Sequence, residues 1–170
     1  TFSQYAELGG KHNTSPELNK VLSKWENYII YKLAANQAGV ELWSVRKLLG
    51  EQGIRVVNDL QKQGLLYQGP EGSYHAEEKN FALDVELMKK HLPKLMEFFT
   101  PELAHKGQNI FYTMSESLNN EAVQKIKKIQ RAAVESIYKI IQDPTSQGDL
   151  PYFTINMGEI MDYSLEEVQK

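Results

Sequence analysis

LWSVRKLLGEQGIRVVNDLQKQGLLYQGPEGSYHAE, residues 42–77, decides the reading of this chain. Val45, Leu48 and Leu49 recur at helical spacing over 44–49, and the run 50–53, glycine at each end, breaks the pattern. Ile54, Val57 and Leu60 then recur at spacing three over 54–63, and Gly64 stands where a helix stops. Residues 65–68 and 73–77 flank Gly69-Pro70-Glu71-Gly72, which is turn chemistry between two short strands. Helix, turn, helix, hairpin is the order of a winged helix-turn-helix, whose second helix can lie in a DNA major groove. Winged helices also serve as packing and partner-binding modules, so the order speaks for a fold more strongly than for DNA.

On the second helix, Arg55, Asn58, Asp59 and Lys62 fall opposite the apolar positions Ile54, Val57 and Leu60. Arginine, asparagine and lysine suit base edges and phosphates. Arg46, Lys47, Arg55, Asn58, Gln61 and Lys62 are therefore the candidate DNA contacts. Asp59 would repel phosphate, and the turn tip carries Pro70 and Glu71 where a minor-groove probe needs a base. Over 42–80 five basic residues meet five acids, so a solvated helix face is an equal reading.

Upstream, 1–15 reads as a polar tail or linker around Gly9-Gly10, with Phe2, Tyr5 and Leu8 as anchors. Ser15 can cap a helix with Pro16 at its first position. That helix is expected to run to about Gln37, burying Leu18, Val21, Leu22, Trp25, Ile29 and Leu33. Trp25 reads as core, with a ligand-stacking ring as the rarer role.

Downstream, 81–99 reads as a second long helix with a kink or break near His91, because Pro93 removes a backbone donor. The last third reads as strand, helix, strand. Alternation over 109–115 and 151–157 brackets a helix capped by Asn119 or Asn120 and running to about Gln142. Ala122, Ile126, Ile129, Ala133, Ile137 and Ile140 form its expected buried stripe, laid over Ile110, Tyr112, Met114, Phe153, Ile155 and Met157. Phe111 and Tyr152 on the other sheet face are the candidate partner contacts, for the winged-helix module, a second copy or an upstream domain, with packing inside the chain, for example against Phe98 and Phe99, read ahead of dimerisation. The expected fold class is α+β: a tail over 1–15, a winged helix-turn-helix over 16–80, a kinked helix plus strand-helix-strand unit over 81–162, and a tail over 163–170.

Composition sets outer bounds. The chain has 170 residues, enough for one domain or two small ones, and a formal net charge of −3, which opposes strong electrostatic binding to nucleic acid. It has no cysteine, which removes disulfide and thiolate chemistry and fits a reducing, cytoplasmic compartment. No apolar run approaches the roughly 20 residues that span a bilayer, so no membrane partner is expected. No signal-peptide order opens the chain, and an initial threonine suggests a piece of a longer protein.

His12, His75, His91 and His105 share no metal-ligand spacing with each other or with a carboxylate. Ser115-Glu116-Ser117 lacks the glycines of a nucleophile elbow, and no phosphate-binding glycine motif occurs. No catalytic, metal or cofactor site is expected, and the chain does not read as an enzyme. Lys125, Lys127, Lys128 and Arg131 are the one basic cluster, read first as a solvated helix face and second as a phosphate contact.

The order of these segments resembles the C-terminal, winged-helix-containing region of the Fibrobacter-type bacterial paralogous family of unknown function. The resemblance spans about 18–160. It rests on Trp25-Glu26-Asn27-Tyr28, Val45-Arg46-Lys47-Leu48-Leu49-Gly50, Leu60-Gln61-Lys62-Gln63-Gly64-Leu65-Leu66, Pro70-Glu71-Gly72, Thr113-Met114-Ser115 and Phe153-Thr154-Ile155-Asn156. It implies the regulatory region of a transcriptional regulator, acting through weak duplex contact or through dimerisation and signal reception. Family members carry a repressor-type helix-turn-helix upstream, which this sequence does not include. A protein-interaction module without nucleic-acid binding is the alternative.

Overall fold

Ser15 and Pro16 start the first helix as their chemistry implies. Ser15 Oγ accepts from the Leu18 amide at 3.1 Å, and Pro16 takes the first helical position. The computed structural model describes residues 14–79, 83–148 and 150–160. The tails expected over 1–15 and 163–170 fall wholly or largely outside the described residues, as does His12.

Two helices stand where one was expected. Helix α1 (Pro16–Val21) stops, and α2 (Trp25–Ala34) begins after three intervening residues. The apolar stripe runs through this break, so periodicity did not reveal it. Local side chains hold it open: Ser23 Oγ donates to the Lys20 carbonyl at 2.7 Å and Asn27 donates to the Val21 carbonyl at 2.9 Å. The Leu22 carbonyl, buried in the break, accepts from His91 Nε2 at 2.8 Å. A buried carbonyl without a partner would cost about 1–3 kcal/mol, so this bond matters more than its number suggests.

Helix α3 (Leu42–Lys62) is two helices joined at Gly50, whose φ of 62° and ψ of −153° are non-helical. That backbone region is nearly closed to side chains bearing Cβ. The turn also needs Gly53, because a Cβ there would stand 2.7 Å from Val45 Cγ1 and 2.9 Å from Leu49 Cβ. The second half ends as Gly64 predicts. Gly64, at φ 70°, donates to Gln61, and Leu65 donates to the Leu60 carbonyl at 2.9 Å, closing a Schellman motif.

Strands β1 (Leu66–Gln68) and β2 (Tyr74–Ala76) pair antiparallel, with Tyr67 opposite His75. Gly72 donates to the Gly69 carbonyl across the turn. Val40 bridges Tyr74 on the far side of β2, so a third chain segment joins the hairpin. Gly39 permits this approach, since a Cβ there would lie 2.7 Å from the Tyr74 carbonyl oxygen.

Helix α4 (Val85–Met96) continues unbroken through Pro93, so the expected break does not occur. Pro93 lies in the last turn and is exposed, as are Lys89 and Lys90. The carbonyl that loses its donor can bond water there. A short helix α5 (Pro101–His105) and a long helix α6 (Asn120–Gln142) follow, the latter capped by Asn119 Oδ1 accepting from Ala122 at 2.9 Å. A single turn of tighter helix, Pro144–Ser146, comes next.

The core is one cluster, and it lies in residues 18–95. Leu18, Leu22, Tyr28, Ile30, Tyr31, Ala34, Val45, Val57, Leu60, Leu66 and Leu95 are all buried in it. Helix α2 runs through its middle and is covered on several sides, which is why Tyr28, Ile30 and Tyr31 join Ile29 inside while Trp25 and Leu33 are half-buried.

The last third corrects the sequence reading. Helix and small antiparallel sheet are both present, but no ladder forms over 109–115 or 151–157. Tyr112 is 81 % exposed and Met114 92 %. None of Ala122, Ile126, Ile129, Ala133, Ile137 or Ile140 is fully buried, and the stripe covers no sheet among the described residues. Alternation is a requirement for a half-buried strand, and two parallel strands alone are too few to hold a sheet together.

Gly50 sets the angle between the two halves of α3, so its replacement is a direct test. Gly50→Ala is expected to destabilise the chain by about 1–3 kcal/mol, as forced positive-φ geometry requires. Urea unfolding is the measurement, with the exposed Gln52→Ala as control; equal midpoints for the two variants would refute the geometry.

Candidate nucleic-acid interface

The face that the sequence marks is presented outward. Val57 and Leu60 are fully buried and Ile54 half-buried, which turns Arg55, Asn58, Asp59, Gln61 and Lys62 to the surface. Arg55, Asn58 and Lys62 follow one another at spacings of three and four, forming one stripe along the second half of α3. Gln61 adjoins Asn58 at spacing three. None of these four side chains makes a hydrogen bond or ion pair within four ångströms among the described residues.

Arg46 and Lys47 are exposed on the first half of α3, but they are not equivalent. Arg46 Nε donates to Glu51 Oε1 at 2.7 Å across the Gly50 turn. Both partners are more than half exposed, so the pair adds little stability. Its effect is on charge: it sets an acid against Arg46. Asp59 interrupts the stripe between Arg55 and Lys62. The basic strip joining Arg46, Lys47, Arg55 and Lys62 is therefore broken at two places.

The hairpin is built for rigidity. His75 stacks against Tyr67 at 5.5 Å between centroids, and its Nε2 lies 2.9 Å from Ser73 Oγ. Gly69 backs the ring, its Cβ position lying 3.0 Å from Nε2. The buried Nδ1 finds no hydrogen-bond partner among the described residues.

Phe111 and Tyr152 are exposed, but the structure does not gather them on one sheet face, because that sheet is not formed. Phe111 instead lies 5.2 Å from Phe99. Phe153, from the same segment as Tyr152, meets Phe98 edge-on at 6.4 Å, and Phe98 lies 6.3 Å from Trp25. A chain of aromatic rings thus connects the last third to the core.

Sequence reading treated His91 as one more satisfied or surface histidine. It is a buried donor, stacked on Tyr28 at 4.6 Å with the rings 5° from parallel. Spacing along α4 gives the signal in retrospect, since His91 lies four residues before the buried Leu95. Tyr28 donates to Met88 Sδ at 3.4 Å, and burial pushes its hydroxyl up to about 12. Lys32 reaches over the same ring, 5.9 Å from its centroid, and burial holds its ammonium below the usual lysine value.

Among the described residues no helix is long and apolar enough to cross a membrane, and no three histidine or carboxylate side chains gather as metal ligands would. Comparison with protein-family models, curated proteins and solved structures gives no match.

The Tyr28 hydroxyl makes stability depend on alkaline pH. An unfolded chain releases this proton near 10.0, whereas the folded chain keeps it to about 12. The contribution is complete below pH 10 and is lost as pH rises through 12. Tyr28→Phe is expected to flatten the fall of the urea midpoint between pH 10 and 12. An unchanged slope in that window would contradict the burial argument.

Proposed function

We propose that the chain is the regulatory region of a cytoplasmic bacterial transcription regulator, and that residues 16–80 form a winged helix-turn-helix making weak contact with duplex DNA. The observation that carries this reading is the free polar stripe on the second half of α3. Arg55, Asn58, Gln61 and Lys62 stand outward, untied by any intramolecular bond among the described residues, on a helix held by two glycines and a buried apolar edge. Side chains already paired within the protein would have to break those bonds before meeting a base; these do not. The hairpin after the helix, with Val40 bridging its second strand, supports the winged arrangement. The family resemblance of the sequence points the same way.

Weakness is part of the proposal. With Arg46 paired to Glu51, only Lys47, Arg55 and Lys62 offer uncompensated charge on this face. Asp59 opposes phosphate from within the stripe. A second reading, a protein-interaction module without nucleic-acid contact, is favoured by those same two acids, because a mixed-charge helix face suits a protein surface as well as a groove. Neither reading assigns a catalytic residue.

Duplex affinity measured against salt separates the two. Log K is expected to fall with log salt at a slope of about −3, as roughly three neutralised phosphates require. Replacing Lys62 by Ala is expected to reduce that slope by about 1. A nanomolar affinity at physiological salt with a slope of six or more would defeat the weak-contact reading. No binding at the lowest salt would leave the protein-interaction module.

A further inference from the structure

Residues 110–160 are attached to the core of residues 18–95 by very little. Among the described residues neither 110–118 nor 150–160 makes a backbone–backbone hydrogen bond, and no strand pairs with either. Val123, Val134 and Ile137, the half-buried aliphatic residues of α6, are not among those packed against the core. What reaches the core is phenylalanine. Two consecutive rings beyond α4 each receive one ring from the last third: Phe99 lies 5.2 Å from Phe111, and Phe98 meets Phe153 edge-on at 6.4 Å. Phe98 in turn lies 6.3 Å from Trp25, which packs on the core.

The two contacts are unlike. Phe111 sits near a fixed root. Gln108 donates to the Leu103 carbonyl at 3.0 Å where α5 ends, and the Asn109 side chain donates to the Thr100 carbonyl at 3.0 Å. Those bonds return the chain towards Phe99 whatever α6 does. Phe153 instead closes on Phe98 from beyond the far end of α6. It is the one half-buried residue in 150–160, where every other is exposed. Gly158 lies against Gln130 of α6, its Cβ position 3.0 Å from the side-chain amide, so the last segment travels with the helix.

We propose that 110–160 is a hinged arm, rooted at Asn109 and latched to the core by Phe153 on Phe98. One ring pair is a shallow lock. An edge contact together with the apolar area it covers favours the closed state by about ten- to a hundredfold. The open arm is then a standing minor state of about 1–10 %. Opening uncovers Phe98 and separates the arm from the rest of the chain everywhere but at its root. The core stays folded, because no residue of the arm belongs to it.

Single-molecule energy transfer on the full chain tests the latch. The absence of native cysteine lets dyes be placed at Lys90→Cys on α4 and Ser136→Cys on α6, both exposed positions. The expected parent distribution is one dominant closed population with a minor open one. Phe153→Ala is expected to invert that ratio, while Tyr152→Ala, which removes a ring 75 % exposed, leaves it as in the parent. Phe98→Ala is expected to open the arm as far as Phe153→Ala does, and the two together no further, since they remove the same contact. Amide protection of 28–34 is expected to stay at the parent's level in Phe153→Ala. A Phe153→Ala chain that keeps the closed distribution overturns the latch, as does a parent with no dominant closed population. Loss of protection at 28–34 in Phe153→Ala would make Phe153 part of the core and overturn the hinged arm.

Discussion

The close approach of Gly53 to Val45 is the constraint from which the described fold follows. A methyl group at residue 53 would sit within 3 Å of both Val45 and Leu49, so only glycine lets the two halves of α3 meet there. With that contact made, Val45 and Val57 are both fully buried, and Leu60 with them. The remaining faces have no freedom: the polar stripe must point outward, and the Schellman end at Gly64 must send the chain into β1. The hairpin then returns Tyr74 to Val40, and α2 is enclosed between α3 and the sheet. Removing the glycine would disturb the packing and the presented face together.

Helix α4 is joined to this unit by a different kind of contact. His91 satisfies a carbonyl that the break between α1 and α2 leaves exposed inside the protein, and its ring fills the space beside Tyr28. Polar satisfaction and aromatic packing come from one side chain. Beyond Phe98 the character of the chain changes. Ring-to-ring contacts among Phe98, Phe99, Phe111 and Phe153 persist, while helix α6 buries none of its residues. The chain is thus a well-packed first part with an under-packed second part.

Much of the first part was legible because glycine, proline and capping residues carry local instructions. Gly50, Gly53, Gly64 and the Gly69-Pro70-Glu71-Gly72 turn each act through backbone geometry that no distant residue overrides. The orientation of Arg55, Asn58, Gln61 and Lys62 followed from helical period alone. The break at 22–24 was not legible, because the apolar stripe continues through it and its cause is a set of side-chain bonds to carbonyls. Pro93 was read as a break because its position in the last turn of α4 was not known. The final strands failed for a deeper reason. Alternation at 109–115 and 151–157 records which side chains could face a core, but not whether a third strand or a covering surface exists. Within the candidate site, the Arg46–Glu51 pair was hidden as well: a spacing of five meets across the Gly50 turn and would not in a continuous helix.

The central claim is that stability is divided unequally, with the core of residues 18–95 holding the presented helix while α6 buries none of its residues. Amide hydrogen exchange tests it most directly. The account predicts that amides of 28–34 and 54–60 exchange slowest. Those of 123–140 are predicted to exchange far faster. Equal protection of both regions would show a single cooperative unit and contradict the account.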